Sequence, residues 1–258
     1  MTIIKDYIAK LIKAGTREED RSAEEYREIS VEKGAIFKAC GSARVKIGQT
    51  DVLVGVSMSV GTPFPDSPAS GILMVNAELN PLASSNFELG PPREAAIELA
   101  RVVDRMIREA KVVDMDKLCI APGEKVWMVF IDIQPVNADG NLFDAAGLAA
   151  MVALSSAKIP KYDKKAERVL FGEFSTTKLP VKTTPMLCTF GKINGNIFLD
   201  PTAREEAVMD ARMCVATTAD GHVHDMQKGG NGTFSQTEIL KTVSLATKKG
   251  TELRKWLK

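Results

Sequence analysis

Three arginines at helical spacing, Arg101, Arg105 and Arg108, are the residues of this sequence best suited to binding an anion. At about 100° per residue they fall within about 60° of one another on a helix, so they form one basic ridge. A planar guanidinium donates two hydrogen bonds at once, which suits phosphate. In the competing interpretation the ridge is a solvated surface, and its arginines pair with the acidic residues of the same helix, Glu94, Glu98 and Asp104.

A second group of reactive side chains is acidic. The stretch DPTAREEAVMD carries four carboxylates, Asp200, Glu205, Glu206 and Asp210. Clustered carboxylates bind divalent metals or act as general acids and bases. The alternative is an acidic loop or short helix whose Asp-Pro-Thr start supplies the N-cap.

Two further motifs are weak. His222 and His224 share one face of a predicted strand, but no neighbouring ligand completes a metal site, so we predict no bound metal. In Lys228–Thr233 the lysine precedes the glycines, whereas a phosphate-binding loop needs it after them. We interpret that segment as a flexible connector.

The composition is that of a soluble globular protein and excludes a general attraction to polyanions. The 258 residues are 45% hydrophobic and 26% charged, with a formal net charge of +1, so any binding of a polyanion depends on a local patch. Lysines interrupt the apolar N-terminal stretch, and no run is long enough to span a membrane. The four cysteines are widely spaced, which favours reduced thiols and a cytoplasmic protein.

The predicted elements divide the chain into two similar halves. Residues 1–28 are an amphipathic helix ending at Gly15 and a charged, solvated connector, and residues 29–160 are a first α/β lobe that begins with an antiparallel meander. Its near-continuous apolar strand, EKVWMVFIDIQPV, is typical of burial on both faces. Residues 161–182 are predicted to be a linker, and residues 183–258 a second lobe. Asn-Gly and Asp-Gly turns predict two hairpins there, and Ser235 with Glu238 predicts the N-cap of a final helix.

Several stretches together resemble the RNase PH family, and most closely the catalytically silent subunits of the archaeal exosome ring. They cover nearly the whole chain: GQTDVLVGV, VNAELNPLAS, GPPREAAIELARVVDRMIREA, PGEKVWMVFIDI, DGNLFDAAGLAAMVAL and DPTAREEAVMDARM. The resemblance implies an α/β (α+β) fold. Its plan is a duplicated RNase PH-type unit with mixed β-sheets and helices sandwiched between them, here preceded by the N-terminal helix.

Active members of that family degrade RNA from the 3′ end, with inorganic phosphate as nucleophile. Their phosphate site resembles Asp-Gly-Gly-Thr/Ser-Arg, and matching its start to Asp139–Gly140 puts Leu142 and Phe143 at the hydroxyl and arginine positions. Of their aspartate pair, Asp210 matches the later member and Arg204 stands at the earlier one. The resemblance therefore implies a degenerate phosphate site, a vestigial acidic site and no catalytic residue.

The resemblance also implies the partners. A silent subunit alternates with an active RNase PH-like subunit in a hexameric ring of heterodimers, and RNA-binding cap proteins join the ring. By the match to RVVDR, Arg101 and Arg105 contact the RNA backbone, and Arg108 shares their ridge. No cofactor is expected, since phosphate is used at the partner's site. Two alternatives remain open: the chain is itself a phosphorolytic 3′→5′ exoribonuclease that uses Asp210 and Glu205, or it scaffolds the ring without touching RNA.

Overall fold

A computed structural model describes residues 2–163 and 166–258 of the chain. The helices in this part of the chain are α1 (Thr2–Lys13), α2 (Glu94–Glu109), α3 (Leu142–Ser156), α4 (Ala203–Glu206) and α5 (Gln236–Leu253). The strands are β1 (Ile29–Lys33), β2 (Gly41–Ile47), β3 (Thr50–Gly61), β4 (Ile72–Ala77), β5 (Cys119–Ala121), β6 (Lys125–Asn137), β7 (Lys158–Asp163), β8 (Arg168–Lys178), β9 (Met186–Ile193), β10 (Asn196–Leu199), β11 (Ala211–Thr217) and β12 (Val223–Gly230). Short 3₁₀ turns occupy Met115–Leu118 and Arg254–Leu257.

The first sheet has the order β1-β2-β3-β6-β4, and the short β5 pairs with β6. Strands β1 to β3 form the predicted antiparallel meander, whereas β4 runs parallel to β6. The expectation that β6 is buried on both faces is wrong. Val129, Ile131 and Ile133 are fully buried, but Phe130 is half-buried and Asp132 is exposed. The strand alternates because only one of its faces contributes to the core.

The second sheet is antiparallel throughout, with the order β10-β9-β11-β12. Asn194 and Gly195 join β9 to β10 with positive φ angles of 46° and 81°, the geometry that a two-residue hairpin turn requires. The Asp-Gly turn at Gly221 joins β11 to β12. Both predicted hairpins are therefore confirmed, as is the N-cap of α5, where Ser235 and Glu238 form a capping box.

Two helices lie between the sheets. Helix α3 packs on β2 and β3 on one side and on β9 on the other, and α2 packs on β4 and β12. The approach is close, because a Cβ at Gly41 would lie 2.2 Å from the carbonyl oxygen of Ala153. Helix α5 packs on β9 and β11. The predicted sandwich of sheets and helices is confirmed, and of the two sheets the first is mixed.

The N-terminal segment departs from the prediction after its helix. Helix α1 packs Ile8 and Ile12 against the second sheet, but the connector, residues 14–28, is solvated only in part, because three of its arginines are buried. Arg17, Arg21 and Arg27 are 3%, 9% and 4% exposed. They are buried because carboxylates from the second lobe, distant in the sequence, neutralise them.

The predicted linker 161–182 also has structure of its own. Its first residues end β7, and most of the rest is β8, which pairs with β7 as an antiparallel hairpin. Val181 then bridges to Val113. Residues 164 and 165 of the linker lie outside the described residues. None of the helices in the described part of the chain is long and apolar enough to cross a bilayer.

Candidate nucleic-acid interface

Helix α2 carries the three arginines and is anchored by the predicted apolar stripe. Glu94 occupies its first turn, where a carboxylate is favourable, and Arg108 occupies its last. All four stripe residues are buried, together with Val102 and Ile107: Leu99, Val103, Met106 and Ala110. The packing of this stripe fixes the direction in which the basic ridge points, which is away from the core.

Arg101 and Arg108 are both exposed, and Arg101 is the member of the ridge without an ion-pair partner within residues 2–163 and 166–258. It lines an open surface pocket of about 400 Å³ with Arg105 and Gln227, and the carboxylates of Glu94 and Glu98 line the same pocket. Glu98 is paired with Arg212, so within the described chain Arg101 keeps a guanidinium without an ion-pair partner, which an anionic ligand can reach.

Arg105 is held by the second lobe. Its Nη2 lies 2.5 Å from Oδ1 of Asp225 in an ion pair that is not a directed hydrogen bond, and its Nη1 donates a 3.2 Å hydrogen bond to Oε1 of Gln227. The Asp225 side chain is 1% exposed, whereas that of Arg105 is 43% exposed. Burial raises the pKa of Asp225, and the neighbouring Arg105 opposes that shift. Arg105 is thus fixed on its inner side and open on its outer side.

Arg108 is occupied within the first lobe. Its Nη2 and Nε donate to the Asp104 carboxylate at 2.7 Å and 3.1 Å, and Nη2 also donates to the carbonyl oxygen of Leu73. The solvated-surface interpretation paired three acidic residues of α2 with its arginines, and the structure shows such a pair for Asp104. Glu98 pairs with Arg212 of β11 rather than with an arginine of its own helix.

The predicted degenerate phosphate site is closed. Phe143, in the first turn of α3, is 7% exposed, and Leu142 is half-buried. The guanidinium of Arg212 stacks on the Phe143 ring with its central carbon 4.2 Å from the ring centroid. Glu98 neutralises that guanidinium through Nη2. The position expected to hold a phosphate-binding arginine thus carries an aromatic ring covered by a cation that already has an anionic partner.

The two residues of the predicted vestigial acidic site both pair with the N-terminal segment. Nζ of Lys5 lies 2.6 Å from Oδ1 of Asp210, and the amide of Asn194 donates to Oδ2 at 2.7 Å. Lys5 accordingly lowers the pKa of Asp210. Nη1 of Arg204 lies 2.8 Å from Oε1 of Glu18. Neither residue is brought to Phe143; Arg212, which the sequence analysis did not single out, faces that ring.

Of the remaining carboxylates of the acidic stretch, Glu206 is half-buried and accepts from the amide of Asn141 at 2.9 Å, and the other two are buried in ion pairs. Asp200 is fully buried and accepts from Arg27, Arg21 and Asn141. Burial would raise its pKa, but Arg27 holds it below its usual range. Glu205, 2% exposed, accepts from Nε and Nη2 of Arg17. Neither carboxylate faces solvent, which leaves them no access to a substrate.

Metal binding finds no support in the arrangement of side chains. His222 pairs with Asp220 at 2.8 Å, and the His224 ring lies 3.0 Å from the Thr218 hydroxyl. Within the described ranges no group of three or more His, Cys, Asp or Glu side chains is placed to hold a metal ion.

Comparison with known proteins identifies the family. Residues 25–160 match the 3′ exoribonuclease family, domain 1, and residues 183–249 match its domain 2. The chain belongs to the 3′ exoribonuclease family. This is the RNase PH family, and the resemblance drawn from the sequence is confirmed.

Relatives within the family are similar along their whole length. "Exosome complex component Rrp42" of Thermococcus gammatolerans is 49% identical over 258 residues, 99% of this chain and 94% of the relative. The protein of the same name from Methanothermobacter thermautotrophicus is 45% identical over 99% and 94% of the two chains. A chain of the Archaeoglobus fulgidus exosome with RNA bound to the active site superposes with a TM-score of 0.91 at 40% identity, covering 100% and 98%. A chain of an archaeal exosome core gives 0.87 at 37% identity, covering 99% and 96%.

Proposed function

We propose that this chain is a non-catalytic subunit of an archaeal-type exosome ring, in which it structures an active subunit and contributes contacts to the RNA backbone. The family and the full-length similarity to exosome components support its place in such a complex. The proposed role is phosphate-dependent 3′→5′ RNA degradation, carried out by the complex rather than by this chain.

One observation supports the absence of catalysis by this chain: its phosphate site is closed. Phosphorolysis needs an arginine and a hydroxyl that hold inorganic phosphate. Here Phe143 and Leu142 take those positions, and the nearby Arg212 stacks on Phe143 and is neutralised by Glu98. An incoming phosphate would have to displace a carboxylate from Arg212 and would gain no second donor from an apolar ring.

RNA binding is supported by the state of the two arginines matched to the family. Arg101 is exposed and unpaired within the described chain, and Arg105 keeps an open outer side. They stand one helical turn apart on a fixed ridge, a spacing that suits neighbouring phosphates of one strand and reads no bases. The near-neutral chain offers no other general attraction to RNA.

The remaining parts of the proposal follow from the resemblance. The partner is an active RNase PH-like subunit, with which this chain alternates in a hexamer, and RNA-binding cap proteins join that ring. Inorganic phosphate is used at the partner's site, the chain has no cofactor of its own, and the complex is cytoplasmic.

The decisive experiment compares the purified chain with the assembled ring. Each is incubated with poly(A) and inorganic phosphate, and release of nucleoside diphosphate is measured. We expect release from the ring and none above background from the chain. Release by the chain at a rate near that of the ring would overturn catalytic silence.

The alternative, a phosphorolytic enzyme using Asp210 and Glu205, makes the opposite prediction for Asp210→Ala in the ring. Because Asp210 pairs with Lys5 near the surface and Glu205 is buried against Arg17, we expect turnover to stay within about twofold of wild type. Phosphorolysis by the variant ring, with assembly checked by its mass, provides the measurement. Near-total loss of turnover in an intact ring would favour the alternative.

A further inference from the structure

Strand β12 presents two polar side chains to the basic ridge of α2. Asp225 and Gln227 are two residues apart, so they lie on the same face of the strand, and both reach Arg105. The strand belongs to the second lobe and the helix to the first. The orientation of this arginine is therefore set by a contact between lobes.

The burial of Asp225 makes this contact costly to break. Its side chain is 1% exposed, and within the described parts of the chain Arg105 is the one cation at ion-pair distance. Removing the partner of a buried charge costs several kcal/mol. Arg105 therefore cannot turn its guanidinium freely into solvent, although 43% of its side chain is accessible. Arg101 carries no such restraint.

We infer that Asp225 and Gln227 are positioning residues that hold Arg105 in one orientation, so that its outer N–H groups receive a phosphate of the RNA. The inference rests on the proposed function, since it assigns how that RNA contact is built. In this arrangement Arg101 and Arg105 make different contributions to RNA binding. Arg101 contributes a full mobile charge, whereas Arg105 contributes directed hydrogen bonds from a pair whose net charge is close to zero.

This difference predicts how the ring responds to salt. Each cation that neutralises a phosphate of single-stranded nucleic acid adds about 0.7 to the slope of log affinity against log salt concentration. Asp225→Asn removes the buried charge and leaves Arg105 a free cation. The variant ring should therefore bind RNA with a slope steeper by about 0.7 than wild type. Its kcat should fall about threefold or more, because the 3′ end is held less accurately.

Gln227→Met tests the orientation of Arg105 without changing the charge of the Arg105–Asp225 pair. The methionine fills similar space but accepts no comparable hydrogen bond from Arg105, and it leaves the Asp225 pair intact. We expect kcat to fall about threefold, as for Asp225→Asn, while the salt slope stays at the wild-type value. A residue with a merely structural role would move neither quantity in an intact ring.

A matched control comes from the first sheet. Asp51 of β3 is buried and pairs at 2.8 Å with Arg44 of β2, whose side chain is 39% exposed. Asp51→Asn therefore releases an arginine of similar exposure, together with Lys46, whose Nζ lies 3.7 Å from the same carboxylate, from an aspartate side chain that is 9% exposed. Its slope and kcat should match those of wild type.

The outcomes separate this inference from the proposal on which it rests. RNA affinity is measured in phosphate-free buffer across a range of salt, and kcat at saturating RNA and phosphate, on rings of verified mass. If Arg101→Gln and Arg105→Gln both leave RNA affinity unchanged, the proposed RNA contact itself fails. If Arg105→Gln weakens binding but Asp225→Asn keeps the wild-type slope and kcat, only the positioning role is overturned. If Asp225→Asn prevents assembly of the ring, the test falls to Gln227→Met, and a wild-type kcat for that variant overturns the positioning role.

Discussion

At the scale of single residues, the three arginines of α2 are chemically identical but differ in what already binds them. Arg101 faces solvent without an ion-pair partner in the described chain, whereas Arg108 donates to both oxygens of Asp104 and to the carbonyl of Leu73. A guanidinium whose donors are occupied has less to offer a phosphate. The ridge that periodicity predicts as uniform is graded along its length.

This gradation predicts unequal effects of neutral substitutions in the assembled ring. Arg101→Gln should weaken RNA binding about fivefold or more and make the salt slope shallower by about 0.7, since one phosphate contact is lost. Arg108→Gln should change affinity less than about twofold, and it serves as the matched control on the same helix. Fluorescence anisotropy with labelled RNA measures both. Equal losses for the two variants would contradict the assignment.

The buried carboxyl of Asp144 makes the stability of the fold depend on pH. Asp144 of α3 is 1% exposed and accepts hydrogen bonds from Tyr26, Asn141 and Thr189. Burial raises its pKa from 3.8 to about 6, against the effect of those hydrogen bonds. A carboxyl whose pKa is raised on folding contributes stability that is complete below the unfolded pKa and is lost as the pH rises through the folded value.

Asp144→Asn should remove that pH dependence. The amide does not titrate, and its NH₂ can donate to the Thr189 hydroxyl while its oxygen keeps the other donors. From pH 4 to pH 7 the unfolding free energy of the variant should rise by roughly 2 kcal/mol relative to wild type. Denaturant unfolding at several pH values provides the test, with exposed Asp66→Asn as control. A difference that stays constant with pH would refute the prediction.

At the scale of elements, the connector (residues 14–28) lies across the second lobe and is held there by Arg17, a contact that we call the strap. Arg17 donates to Glu205, to the carbonyl of Leu199 at 2.6 Å and to that of Asp200 at 2.7 Å, and its guanidinium lies 5.0 Å from the Phe198 ring centroid. Both charges of the Arg17–Glu205 pair are almost fully buried. Hydrogen bonds to the carbonyl groups use the donors that Glu205 leaves free.

Arg17→Met should therefore destabilise the chain by about 3–5 kcal/mol, since it leaves the buried Glu205 carboxylate without a cation and removes a donor from each of two carbonyls. The matched control is Arg204→Met, which breaks a pair whose arginine side chain is 59% exposed and should cost under about 1 kcal/mol. Equilibrium unfolding in denaturant, with both variants in the same assembly state, gives the difference. Similar losses for the two would show that the strap is no more than a surface contact.

The elements also mark the limit of prediction from sequence. Helices α2 and α5 and the two hairpins were predictable, because periodicity, caps and Asn-Gly or Asp-Gly turns are local signals. The burial of the three connector arginines was not predictable, because the charged run TREEDRSAEEYREIS is typical of a solvated segment and the carboxylates that pair with them are distant in the sequence. The same limit applies to the site. The ridge of α2 was visible from periodicity. Asp225 and Gln227 reach it from the second lobe, and Arg212 reaches Glu98 of the same helix, but no local pattern pairs these residues with α2.

At the scale of the whole molecule, one core joins the two lobes. Side chains of β6 such as Ile131 and side chains of β11 such as Val215 belong to the same buried cluster, because α2 and α3 fill the space between the sheets. Every side chain of α3 from Phe143 to Leu154 is buried. Arg27 adds a polar link, donating both to the carbonyl of Asp139 and to the carboxylate of Asp200.

Because the two lobes share one core, we expect them to unfold in one cooperative step. In native-state hydrogen exchange on the assembled ring, the most protected amides of β6 and of β11 should exchange with the same opening free energy, within about 1 kcal/mol, because neither sheet keeps its buried face without the other. The hairpin β7–β8, whose side chains other than that of Pro160 are exposed or half-buried, should exchange through smaller openings and provides the internal control. If β11 exchanged through an opening that left β6 protected, the second lobe would be a separate cooperative unit. The orientation of Arg105, which depends on Asp225 from that lobe, would then fluctuate independently of the helix that carries it.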